Sequence, residues 1–190
     1  MGHREDLLEG AKRCLLEKGY ARTTARDIVQ ASGTNLASIG YHYGSKDALL
    51  QEALFAWMGE WMDDVEAIVK RRARPEASRA ERFTAGWTAV SQLLGQHRHM
   101  WTASIELILQ SYDNKEMREQ FTKALPEARS GLVALLNGVP EEEVTQEERD
   151  TFGRLYYLLM VGLVMEGTLD PDTEVPGSML VEAMRGISGG

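Results

Sequence analysis

Cysteine occurs once in the 190 residues, at Cys14. A single thiol excludes an intrachain disulfide and any fold held together by one. Cys14 follows Leu7 by seven residues on an apolar helical face, so it reads as a small core residue. Long apolar runs are also lacking. The longest, LYYLLMVGLVM at 155–165, falls short of the roughly 20 residues that a bilayer span needs. The N-terminus has no apolar stretch of the kind that marks a secretory signal. The expectation is a cytoplasmic protein with no membrane partner. No strand-length alternation of apolar and polar residues appears, and no repeat or low-complexity tract. HExxH, P-loop and GxSxG patterns are missing. The HRH at 97–99 sets two histidines at i and i+2, which point apart on a helix, with no cysteine or carboxylate spaced to complete a metal set. Neither an enzyme, nor a metal site, nor a cofactor is expected.

Positive charge is scarce overall. The formal net charge of −8 argues against nucleic acid as a partner when read globally. Read by segment it says something different. Residues 1–50 hold seven Lys/Arg against six Asp/Glu, about +1, which leaves −9 for the other 140 residues. The asymmetry suggests two parts with different partners.

What the chain does have is helical periodicity, with 43% apolar residues, enough for a substantial core. Leu7, Leu8, Ala11, Cys14 and Leu15 share one side of a helix over 4–18, with Gly19 as its stop. Thr24 and Asp27 form a capping-box pair for a second helix that ends at Ser32-Gly33. Asn35 caps a short third helix running to Tyr43. Ser45 opens a long fourth, 46–73, with Pro75 beyond it. Its inward stripe is Leu50, Leu54, Trp57, Met58, Trp61, Met62, Val65 and Ile68. Further helices are expected over 76–95 (Phe83, Trp87, Val90, Leu94 inward), 98–111 (Trp101, Ile105, Ile108, Leu109 inward), 114–137, 146–168 and 177–187. Pro126 should kink the helix over 114–137. The fold class is all-α, with about nine helices. The boundary between the two parts lies at the start of the fourth helix, giving segments 1–45 and 46–190.

Two short helices joined by ASGTN after a support helix form a helix-turn-helix. Residues 22–50, RTTARDIVQASGTNLASIGYHYGSKDALL, resemble the DNA-binding signature of tetracycline-repressor-type (TetR family) regulators. The likeness covers the first 50 residues and includes the Tyr-His-Tyr-Gly-Ser-Lys run. Later helices agree only in number, length and order. The resemblance implies a three-helix reading head followed by a helical domain for effector binding and dimerisation.

Residue chemistry fits that expectation. A helix seated in the major groove needs phosphate anchors on both sides. Thr23 and Thr24 offer hydroxyls and free N–H groups at a helix N-terminus. Tyr41, His42 and Lys46 supply donors at the far end. Asn35, Leu36, Ala37 and Ser38 are the candidates for base readout: Ala37 suits a thymine methyl, and Asn35 or Ser38 a base edge. Arg26 is the candidate for bidentate contact to guanine. Tyr43, at the family's usual buried aromatic position, packs inward with Ile39. Gly40 departs from the family pattern. It either admits close backbone approach to DNA or is a tolerated loss.

The tryptophans at 57, 61, 87 and 101 lie on inward helical faces. They form either plain core or, as the resemblance implies, the lining of an effector pocket: Trp57, Trp61, Trp87 and Trp101, with Glu106 as a polar contact. Glu106 on an apolar helix must in any case be paired, hydrated or protonated. The helix over 146–168 is apolar nearly all round and needs partners on two sides. With the last helix it suggests an isologous dimer seam through Tyr156, Met160, Leu163 and Met184. The function expected is that of a homodimeric transcriptional regulator: a repressor released from double-stranded operator DNA by a small-molecule effector. The rival is a helical small-molecule-binding or scaffold protein with a vestigial head.

Overall fold

The computed structural model describes residues 3–72, 76–170, 172 and 174–188. Pro75 lies outside the described residues. Among these, nine helices of eight residues or more occur and no strand, the all-α architecture expected. They are α1 (His3–Lys18), α2 (Ala25–Ser32), α3 (Leu36–Tyr43), α4 (Lys46–Arg72), α5 (Arg79–Gln96), α6 (Arg98–Ser111), α7 (Lys115–Asn137), α8 (Arg154–Leu169) and α9 (Gly177–Ser188). A helical turn, Gln146–Glu148, and a π-helical segment, Arg149–Gly153, lead into α8. The chain divides into two compact units: Met1–Trp61 with Arg98–Gln120, and Met62–His97 with Phe121–Gly190.

In the first unit, α1 buries Leu7, Ala11, Cys14 and Leu15, the face its spacing dictates. Gly10 lets α2 cross closely: a Cβ at residue 10 would stand 2.7 Å from the Ser32 Cβ, and only glycine avoids that clash. Burial also pushes the Cys14 thiol pKa up, consistent with an inert core role. α4 sends Leu49, Leu50, Ala53, Leu54 and Trp61 inward. Gln51 is buried with its amide donating to the Met117 carbonyl at 3.4 Å.

α6 departs from expectation. Its buried face is Met100, Trp101, Ala103, Ser104, Leu107 and Ser111, so Ile108 and Leu109 lie outward. Two buried serines set this phase. Ser104 and Ser111 each donate to a carbonyl three residues back, Trp101 and Ile108, at 2.7 Å. With their hydroxyls satisfied, small polar residues can sit inside at little cost.

In the second unit, α5 buries Phe83, Trp87, Val90 and Leu94 as its spacing predicts. The Phe83 ring stacks on Trp87 (6.0 Å, 8°) and tilts against Tyr156 (5.5 Å). The Tyr156 hydroxyl donates to Asn137 Oδ1 at 2.8 Å within this core. α7 continues as helix through Pro126. No helix among the described residues is long and apolar enough to cross a membrane.

Candidate nucleic-acid interface

α2 and α3 have only eight residues each, too few to be stable alone. Their ends are therefore closed by side chains. Thr24 caps α2: its hydroxyl accepts from Asp27 N–H (3.2 Å), while the Asp27 carboxylate accepts from Thr24 N–H (2.8 Å) and from the Thr24 hydroxyl (2.6 Å). Lys18 adds an ion pair to Asp27 at 2.6 Å. The hydrogen bond from Lys18, then those from Thr24, hold the Asp27 carboxyl far below the usual carboxylate range. Gly33 ends α2 in the left-handed region at φ 68°, which a residue with a Cβ rarely adopts. Asn35 Oδ1 then accepts from Ser38 N–H at 3.1 Å and starts α3. Caps of this kind contribute about 1 kcal/mol each.

One side of α3 faces inward through Ile39, with Tyr43 half-buried beside it. The Tyr43 hydroxyl donates to the Arg4 carbonyl at 2.6 Å, and the Arg4 guanidinium lies over its ring. The opposite side is Leu36, Ala37, Gly40 and Tyr41, all exposed, with Tyr41 at 85%. Tyr41 and the half-buried His42 meet edge to face at 4.8 Å. Asn35, Leu36, Ala37, Ser38, Tyr41 and His42 thus gather on or beside one short helix, and Arg26 is exposed on α2.

Two expected phosphate anchors are placed otherwise. Thr23 is 2% exposed, and its hydroxyl donates to the Gly19 carbonyl at 2.6 Å and, more weakly, to that of Cys14 at 3.3 Å. The end of α1 needs acceptors filled there, so the hydroxyl turns in and away from solvent. Lys46 stands 3.0 Å from Asp47, 3.4 Å from the Thr23 carbonyl and 4.9 Å over the Tyr20 ring. The Tyr20 hydroxyl donates to Asp47 at 2.9 Å. Burial, then this bond to Asp47, pushes the Tyr20 phenol well above its ordinary range. Lys46 therefore ties the start of α4 to the turn between α1 and α2.

Other cations of the head are paired as well. Arg4 meets Glu52, Lys12 meets Glu9 and Glu60, and Lys18 meets Asp27. Arg22 uses only its Nε, donating to the Lys18 carbonyl at 2.8 Å. Arg26 meets no carboxylate among the described residues. Arg13 of α1 likewise meets no carboxylate and donates to the Ala31 carbonyl near the end of α2, so among the described residues of the head the cations without a carboxylate partner are Arg13, Arg22 and Arg26. Arg22 was missed in the sequence, because pairing, not charge alone, decides which cations remain available.

The expected effector residues divide between the two units. Trp61 and Trp101 meet edge to face at 4.9 Å in the first unit, and Trp57 is half-buried there. Trp87 belongs to the second unit, against Phe83. The buried indole N–H groups of Trp61, Trp87 and Trp101 find no acceptor among the described residues. Glu106 is engaged elsewhere. Its Oε2 accepts from the backbone N–H groups of Tyr20 (2.8 Å) and Ala21 (3.2 Å), so α6 holds the turn after α1. The lone carboxylate on an apolar helix was the signal, but its partner is backbone 85 residues away and has no sequence signature. A groove of about 840 Å³ between α5 and α9 is lined by Thr84, Thr88, Ser178, Glu182 and Arg185 among others, and by none of the expected effector residues.

Tyr156, Met160 and Leu163 are buried within a single chain and Met184 is half-buried. Leu155, Leu158, Val161, Met165 and Leu169 form the exposed stripe of α8, with Leu158 61% exposed. Tyr156 faces in because its hydroxyl has its partner, Asn137, inside.

Residues 7–53, which hold α1 to α3 and the first turns of α4, match the model of bacterial regulatory proteins of the tetR family. The likeness to the tetR family rests on this N-terminal segment. Among similar proteins, the HTH-type transcriptional repressor AcnR of Corynebacterium efficiens is 41% identical over 46 residues, 24% of each chain. The HTH-type transcriptional repressor KstR2 of Rhodococcus jostii is 30% identical over 125 residues, 62% of this chain and 61% of the relative. The chain thus spans about a quarter to three fifths of the length of these two curated relatives. The fold is shared more widely. A transcriptional regulator from Pseudomonas aeruginosa PAO1 superposes with a TM-score of 0.70 at 24% identity, covering 98% of this chain and 90% of that one.

Proposed function

We propose that this chain is a transcriptional repressor of the tetR family that binds operator DNA as a homodimer and leaves it when a small molecule binds. Residues 1–45 form the reading head in this account, and 46–190 the effector and dimer domain. The observation that carries the proposal is the α2–α3 pair. It is a doubly capped helix-turn-helix with one bare exposed face on α3 and, near the start of α2, Arg22 and Arg26 without a carboxylate partner. That face is the size and shape a major groove accepts, and the arginines supply local phosphate attraction within a chain of net charge −8.

The dimer rests on α8. Its exposed apolar stripe runs from Leu155 to Leu169, with the charges Arg154 and Glu166 near its two ends, and Met179 and Ile187 of α9 are exposed and apolar too. A stripe of one chemistry packs best against its own copy, in an isologous four-helix seam. The effector rests on Trp61 and Trp101, two buried donors without acceptors set in an apolar cluster. Such groups call for a mainly apolar molecule carrying a hydrogen-bond acceptor.

Selection from a pool of random 30-base-pair duplexes tests the reading. The expected result is enrichment of two inverted half-sites about one helical turn apart or a multiple of it, bound by a dimer in sedimentation. Recovery of duplexes with no shared sequence overturns it.

A further inference from the structure

The exposed face of α3 carries no charge. At 100° per residue, Leu36, Gly40, Ala37 and Tyr41 fall side by side in that order, opposite Ile39. Gly40 is therefore in the middle of the face, flanked by Leu36 and Ala37. A Cβ built there meets nothing within 4 Å, and the residue has no positive φ. Neither packing within the chain nor backbone geometry calls for glycine. Open helical glycines occur elsewhere, Gly59 in α4 among them, so the lack of neighbours alone says nothing. What distinguishes Gly40 is its place at the centre of the face presented to a major groove.

Leu36 is 52% exposed and gives the face, beside Gly40 and Ala37, an apolar side chain free to meet an apolar group. The apolar group on the floor of the major groove is the thymine C5-methyl. Resting on the reading of the chain as a DNA-binding repressor, we infer that the face Leu36–Ala37–Gly40 reads thymine methyl groups. Gly40 is the notch that lets the α3 backbone descend onto them. Specificity at these base pairs comes from shape and methyl contact, with the Asn35 amide just before the face and the exposed Arg26 guanidinium on α2.

The test uses the full-length dimer and the duplex recovered by selection. Thymine-rich positions should appear inside each half-site. Replacing those thymines by uracil, which deletes only the methyl, should weaken binding about fourfold per methyl, the value of one buried methylene-sized group. Gly40→Ala should raise the melting temperature by about 2–4 °C, since alanine favours helix. The same variant should weaken operator binding at least about fivefold, because a methyl then fills the notch. Gly59→Ala is the control, expected to stabilise the fold similarly and leave DNA affinity unchanged. Stabilisation by Gly40→Ala with wild-type affinity, or indifference to uracil, overturns the inference while leaving the repressor reading intact. Failure of the wild-type protein to prefer any sequence removes both.

Discussion

Helices α3 and α8 both leave apolar side chains in solvent, and they do so for different lengths and in different company. α3 has eight residues, one buried apolar anchor in Ile39, and an exposed face that mixes Leu36 and Ala37 with a glycine and a phenol. α8 has 16 residues, a buried row of Tyr156, Met160, Leu163 and Val164, and an exposed row that is apolar from Leu155 to Leu169. A short face with hydroxyl and amide groups at its rim suits a polar groove. A long, mainly apolar one suits another helix of its own kind. Exposure alone does not say what covers a helix; length and rim chemistry do.

The largest effect should come from breaking the two rows of α8 separately. Leu158→Glu lies on the exposed row and should give folded monomers, with helical circular dichroism retained and one chain's mass in sedimentation. Met160→Glu lies on the inner row and should lose the fold, because an unpaired carboxylate in a core costs several kcal/mol. Equal outcomes for the two variants would erase the distinction between the rows.

A middle-sized effect belongs to α6. Glu106→Ala leaves the amides of Tyr20 and Ala21 without their acceptor, at a cost of about 1–3 kcal/mol. It should speed hydrogen exchange at those two amides and lower the melting temperature. Glu106→Gln keeps an acceptor oxygen and should restore most of the loss. Wild-type exchange in the alanine variant would mean the tie does not hold the turn.

The smallest effect concerns pH. Asp27 has a folded-state pKa below its unfolded value, because Lys18 and Thr24 hydrogen-bond the carboxylate. Its contribution is thus fully present above the ordinary Asp pKa of about 3.9 and fades as pH falls through the folded value. Asp27→Asn should flatten the acid limb of the stability curve slightly, read by urea titration at acidic and neutral pH. An unchanged limb would contradict the capping account.

The sequence was most legible where the physics is local. The Thr24–Asp27 box, the Asn35 cap and the inner face of α5 follow from spacings of three and four residues. It was least legible where a long-range partner chooses between equivalent faces. An all-round apolar helix such as α8 has no phase of its own, so the inner row is decided by Asn137, 19 residues away, receiving the Tyr156 hydroxyl. α6 offered bulky apolar candidates on two sides, and the buried serines selected the side without Ile108 and Leu109. Lys46 and Thr23 look like anchors by residue type, yet carbonyls and carboxylates of their own unit engage them.

The central claim is that the α2–α3 head grips DNA through phosphate contact. Fluorescence anisotropy with the selected duplex, over about 50–200 mM salt, measures it directly. The account predicts a steep linear fall of log affinity with log salt for the wild-type protein, and a slope shallower by roughly one unit in Arg22→Ala. A salt-independent affinity, or equal binding of a scrambled duplex, would contradict it.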